Sequence, residues 1–125
     1  MRIESNIRVT TEVVYLEESS DHDDNQHVFG CTINIENNAD EAAQLVRRYW
    51  VITDGTGQTQ QDSGFGVAGE SPCIEPNKSH QYLSVSVLDS PVGSMHGHYE
   101  FEMASGESVL VPVAAFSLAK PGVVN

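Results

Sequence analysis

The chain has 125 residues, 39% of them apolar and 19% charged, which is the composition of one folded domain and excludes a disordered segment. Six Lys and Arg stand against 18 Asp and Glu, a net charge of −12, and a field of that sign repels phosphate backbones and anionic lipid. Direct nucleic-acid binding is therefore not expected. The only adjacent basic pair, Arg47-Arg48, falls on a predicted strand and would point to opposite faces. The longest apolar runs are far too short to insert into a bilayer. Two cysteines, Cys31 and Cys73, do not make a disulfide framework. With Met1-Arg2-Ile3-Glu4-Ser5 running straight into strand-like sequence, a cytoplasmic chain with free thiols is expected.

Period-two alternation dominates. Ile7, Val9, Thr11, Val13 and Tyr15 share one face of a first strand, and Phe29, Cys31, Ile33 and Ile35 share one face of a second. The third, Gln44 to Asp54, is apolar on both faces, with Leu45, Tyr49 and Val51 against Val46, Trp50 and Ile52, as a central strand would be. The segment before it, from Asp40, is too short for a helix and leads into that strand. Leu83, Val85 and Val87 alternate with Ser84 and Ser86, and Tyr99, Phe101 and Met103 with Glu100 and Glu102. The last strand carries Val109, Val111 and Val113, and its Pro112 requires an edge or a bulge. Turn-like clusters at 37–40, 54–57, 75–78 and 104–107 separate these runs. The pattern predicts an all-β, immunoglobulin-like or fibronectin type III-like sandwich of about seven antiparallel strands, one domain over 1–125, with strands from about 7 to 118 and a mobile tail at 119–125. Trp50 is expected as a structural anchor between the sheets. Gly97-His98-Tyr99-Glu100-Phe101 resembles a tyrosine corner, in which Tyr99 would bond backbone just upstream; otherwise Tyr99 is a core aromatic.

Three constellations carry possible chemistry. Gly64, Gly66 and Gly69 form a G-x-G-x-x-G string, but Pro72 and Pro76 follow and forbid the helix that would hold pyrophosphate in a dinucleotide fold. What survives is a loop whose amides could nest a small anion, with Asp62 and Glu70 opposing phosphate. Asp21, Asp23 and Asp24 begin like a calcium loop, yet Gln26 and Thr32 break the pattern at its sixth and twelfth positions. His96 and His98 have a zinc-ligand spacing on one strand face, with no further ligand named by the sequence. Cys31 lies on a predicted buried face, Cys73 has no assigned base, and no G-x-S-x-G elbow occurs. No catalytic set and no cofactor are expected.

Several blocks together resemble the ApaG family. They are Val28-Phe29 with 32–37, Gln44-Leu45 with 47–54, the glycine string with Gly69-Glu70-Ser71-Pro72, 88–95 followed by Gly97-His98-Tyr99, and Val111-Pro112-Val113 with Phe116-Ser117-Leu118. The resemblance implies the same sandwich, and a bacterial cytosolic protein linked to cobalt and magnesium resistance or efflux. Related domains occur in eukaryotic F-box proteins and in a polymerase-delta-interacting protein, which implies an adaptor role and another protein as partner. The family's glycine string has prompted a phosphate- or nucleotide-binding proposal. Gly64, Gly66 and Gly69 match it, while Phe65 stands where a polar or charged residue is expected. The expected function is thus a non-enzymatic binding module, with anion binding at Gly64–Gly69 and weak divalent-cation binding as the alternatives.

Overall fold

The structure, a computed structural model, describes residues 1–123. Among these residues nine strands run in chain order: β1 (Arg2–Ile3), β2 (Ile7–Tyr15), β3 (His27–Asn37), β4 (Ala43–Asp54), β5 (Thr59–Phe65), β6 (Cys73–Ile74), β7 (Ser79–Leu88), β8 (Val92–Met103) and β9 (Ser108–Ala119). The larger sheet has the order β1-β9-β8-β4-β5, with the short β6 pairing the start of β4; the smaller has the order β2-β3-β7. The two sheets form a sandwich. The seven long strands pair antiparallel, as expected, and the added β1 lies parallel to β9.

The core is filled from both inner faces. Phe29, Cys31, Ile33 and Ile35 of β3 meet Leu45, Trp50 and Ile52 of β4, Met95, Tyr99 and Phe101 of β8, and Val109 and Val111 of β9, all buried. Trp50 is 1% exposed and packs edge-on against Tyr99 and Phe116. Trp50 thus lies between the sheets, where burying such a side chain is worth several kcal/mol.

One face assignment needs correction. Leu45 does not share a face with Tyr49 and Val51. A β-bulge between Leu45 and Arg47 shifts the register against β8, so Leu45 and Trp50 both point inward although they differ in parity. Downstream of the bulge Arg48, Trp50 and Ile52 share the inner face, and Arg47, Tyr49 and Val51 the outer one. A second bulge on the β8–β9 ladder, between Met95 and Gly97, lies beside Pro112. Because β1 reaches β9 only at Val109 and Leu110, Pro112 is also on an open edge, as its missing N–H requires.

The residues from Asp40 lead into β4 without a helix. Tyr99 is buried, and its hydroxyl meets that of Tyr82 across the sandwich at 2.5 Å, so it is a core aromatic and not a tyrosine corner. After Leu118, Ala119 completes β9 and the Lys120 N–H donates to the Pro91 carbonyl at 2.9 Å. Residues 124–125 of the expected mobile tail lie outside the described residues.

Candidate functional site: the β7 edge and the glycine turn

Strand β7 pairs with β3 residue by residue, without a bulge. Its inward positions are His80, Tyr82, Ser84, Ser86 and Leu88, and its outward positions are Gln81, Leu83, Val85 and Val87. The last three are 61%, 56% and 45% exposed. The alternation is the expected one, but the apolar side faces solvent. Across the smaller sheet Val85 pairs with Gly30 and Gly30 with Val14, itself 52% exposed. A Cβ on Gly30 would stand 3.5 Å from Leu16 Cδ1 and 3.6 Å from Leu83 Cδ1, so these two leucines converge over the glycine. The result is a continuous apolar patch at one end of the sheet's outer face, the kind of surface that marks an interaction site on a soluble protein. Among the described residues β7 carries no Asp, Glu, Lys or Arg, whereas the edge strands β2 and β5 carry Arg8 and Glu12, and Asp62; the open stretch of β9 is also uncharged, but it holds Pro112 and lies beside a bulge. Charges and bulges are the usual protection of an edge, and β7 has neither.

The glycine string lies beside that edge. Gly66 N–H donates to Val46 O at 2.8 Å, and Val67 and Glu70 exchange N–H···O bonds of 2.8 and 2.9 Å. The two residues between them, Ala68 and Gly69, have φ of 49° and 78°, the signature of a type I′ hairpin turn. Gly66 has φ 68°, and a Cβ there would stand 2.1 Å from Glu70 O. Gly64 makes room for a side chain, because a Cβ there would meet the Arg48 guanidinium at 3.3 Å. All three glycines thus answer to backbone geometry or packing. No helix follows them; Ser71 and Pro72 lead into β6.

Between the free edge of β7 and the inner face of β5 runs a groove of about 300 Å³, lined by Arg48, Asp62, Ala68, Gly69 and residues 82–85. It exists because β5 extends the larger sheet beyond the smaller one: Gln60 and Asp62 lie opposite the buried Ile52 and Trp50, yet are exposed. Arg48 Nε and Nη2 donate to the Asp62 carboxylate at 3.2 and 3.1 Å, and Nη1 to Gly66 O at 3.1 Å. The Asp62 carboxylate raises the Arg48 pKa, so the guanidinium stays charged and committed. The Ala68 and Gly69 N–H groups have no partner among the described residues. At the groove's inner end, burial raises the pKa of Tyr82 and of Tyr99. The buried Trp50 Nε1 lies close to these hydroxyls without completing a hydrogen bond.

The other expected site residues lie elsewhere. Asp21, Asp23 and Asp24 belong to the β2–β3 hairpin loop, where Asp21 Oδ1 accepts from the N–H groups of Asp23 and Asp24 at 3.1 and 3.3 Å. His96 and His98 lie opposite Val51 and Tyr49 and share the outer face of the larger sheet; His98 stacks on Tyr49 at 4.9 Å. Among the described residues, no three His, Cys, Asp or Glu side chains come close enough to hold a metal ion. Both cysteines are free. Burial pushes the Cys31 thiol up to about 11, while Cys73 is exposed in β6. Arg47 and Arg48 do point to opposite faces, Arg47 reaching Glu100 at 3.7 Å.

The sequence reading missed Arg48, Tyr82 and the outward stripe of β7. A signal was present: Tyr82 shares the parity of Ser84 and Ser86, and a face carrying an aromatic ring and Leu88 is a candidate inner face.

Known proteins place this chain in context. The family model described as the ApaG domain matches residues 17–103. Protein ApaG of Agrobacterium fabrum is 47% identical over 119 residues, covering 95% of this chain and 92% of that protein. Protein ApaG of Shewanella baltica is 42% identical over 123 residues, covering 98% of each. A Bordetella pertussis crystal structure solved under the name ApaA superposes with a TM-score of 0.92 at 34% identity, covering 98% of this chain and all of that one. With its sandwich and near-full-length similarity in agreement, the chain belongs to the ApaG family.

Proposed function

We propose that this chain is a non-enzymatic binding module whose partner is another protein, held at β7. The observation that carries the reading is the outward stripe Leu83, Val85 and Val87 on an uncharged, unbulged edge strand. Burying exposed apolar side chains against a partner supplies the association energy that a polar surface lacks. The cobalt and magnesium resistance implied by the resemblance would then act through that partner, in the cytoplasm. The test is affinity capture from a lysate of the source organism with the wild-type chain and with Val85→Lys. Capture that depends on Val85 supports the reading. Capture that is identical for the two proteins, or no capture across a range of salt, refutes it.

A second reading has one observation in its favour. Arg48 and the unpaired Ala68 and Gly69 amides line the same groove, which suits a small anion such as phosphate or pyrophosphate. Asp62 opposes it by occupying the guanidinium. Calorimetry with pyrophosphate and nucleotides, with and without magnesium, decides between them. No heat at millimolar ligand eliminates the anion.

A further inference from the structure

The backbone of β7 has a free side, and the hydrogen bonds show which residues own it. Lys78 O, just before the strand, accepts from Asn37 N at 2.9 Å and so faces β3. Val87 O instead accepts from the side-chain amide of Gln60 at 3.0 Å and so faces β5. Backbone groups alternate in direction along an antiparallel strand. Gln81, Leu83, Val85 and Val87 therefore turn both their N–H and their C=O groups toward the groove, while the intervening residues bond to β3. At the Val87 end the side chain of Gln60 stands in for a neighbouring strand.

We infer that this edge accepts an extended segment of another protein as a fourth strand of the smaller sheet, apolar and polar in alternation and basic at its flanks. This rests on the reading of β7 as the protein-binding strand and names the partner's chemistry. Four residues of one parity, Gln81 to Val87, span about 20 Å of edge at ~3.3 Å per residue. The added strand lies above β5, in the groove. Its outward side chains continue the stripe of Leu83, Val85 and Val87, which requires apolar residues. Its inward side chains meet Gln60, Asp62 and the committed Arg48, which requires small polar ones. Charge sets the flanks: Asp62 and Arg48 balance each other within the groove, so the field around it is that of the whole chain, whose net charge of −12 attracts Lys and Arg. A second copy fits this edge poorly. Edge-to-edge pairing of two β7 strands would bring the copy's β4 to the place that β5 already fills beyond β7, and would bring two chains of net charge −12 together.

The test uses the intact chain and a panel of synthetic peptides, alternating valine with threonine or serine and ending in lysines. Each is paired with a version N-methylated at alternate residues, which keeps the side chains and removes the backbone donors. Amide hydrogen exchange is read residue by residue. The expected result is slowing of at least about tenfold at the Leu83 and Val85 amides with a binding peptide, and affinity at least about tenfold weaker for its N-methylated version. Binding that leaves those amides unprotected, equal binding of the two versions, or no binding across the panel overturns strand addition. So does concentration-dependent protection of the same amides without peptide, which would make a second copy the occupant. Capture from lysate that still depends on Val85 in any of these cases leaves the protein-binding reading standing, so the two fail separately.

Discussion

Strands β3 and β7 lie side by side, paired from His27–Leu88 to Glu36–Ser79, and both alternate apolar with polar residues. β3 turns Phe29, Cys31, Ile33 and Ile35 into the core, whereas β7 turns Leu83, Val85 and Val87 out to solvent. The difference teaches that period two shows that a strand has two unlike faces and says nothing about which one is inside. For β3 that question is closed by its central position, with neighbours on both sides and Trp50, Tyr99 and Phe101 below. For β7 it is closed by Tyr82, whose ring is too large to leave the inner face once its hydroxyl has found Tyr99.

Substitutions can break or sharpen this contrast. The largest effect is expected on the facing sheet. Trp50→Ala should lower unfolding free energy by about 3–5 kcal/mol in urea titration. Wild-type Trp50 should emit at short wavelength and resist iodide until the chain unfolds; unfolded-like emission in the native state would contradict its burial. Next comes the direct contrast between the two strands. Ile33→Ala should cost about 2–5 kcal/mol, and Leu83→Ala less than about 0.5 kcal/mol. Equal costs would mean that β7 is covered in solution or that its register has slipped by one. Tyr82→Phe tests what holds β7 in phase. It leaves the buried Tyr99 hydroxyl without its partner and should cost about 1–3 kcal/mol.

The smallest effect is a pH dependence on β3. His27 is buried, with Nε2 bonded to Asn25 Oδ1 at 2.9 Å and Nδ1 to the Tyr15 hydroxyl at 3.0 Å. The Asn25 amide nitrogen faces Asp89 O, so Asn25 Oδ1 accepts from Nε2–H and the neutral ring takes the Tyr15 hydroxyl as donor. Burial, with smaller contributions from His22 and Lys120, lowers the His27 pKa below 6.5. The folded chain therefore binds this proton less readily than the unfolded one. The stability involved is complete above pH 6.5 and is lost as pH falls through that value toward the lowered one. Wild type should lose more stability than His27→Gln between about pH 7 and 5. Parallel curves would show that His27 does not contribute.

The site was less legible than the fold. Three glycines in a dinucleotide-like spacing point at a phosphate loop, while Gly66 and Gly69 are there for positive φ and Gly64 for the Arg48 side chain. Only the pairing of β4 with β5 brings Arg48 to Asp62, and only the overhang of β5 opens the groove beside β7.

By itself the sequence determined the all-β class, the position of six of the long strands though not of β5 or of the start of β8, the interior position of Trp50, Phe29 and Ile33, and the edge or bulge at Pro112. These follow from side-chain alternation, turn chemistry and a missing N–H, all of which act within a few residues. The tertiary structure alone decided the bulge that turns Leu45 and Trp50 to one face, the outward stripe of β7, and the exposed edge with its groove. Those depend on register between distant strands and on where one sheet ends over the other, and no residue encodes either without its neighbours in space.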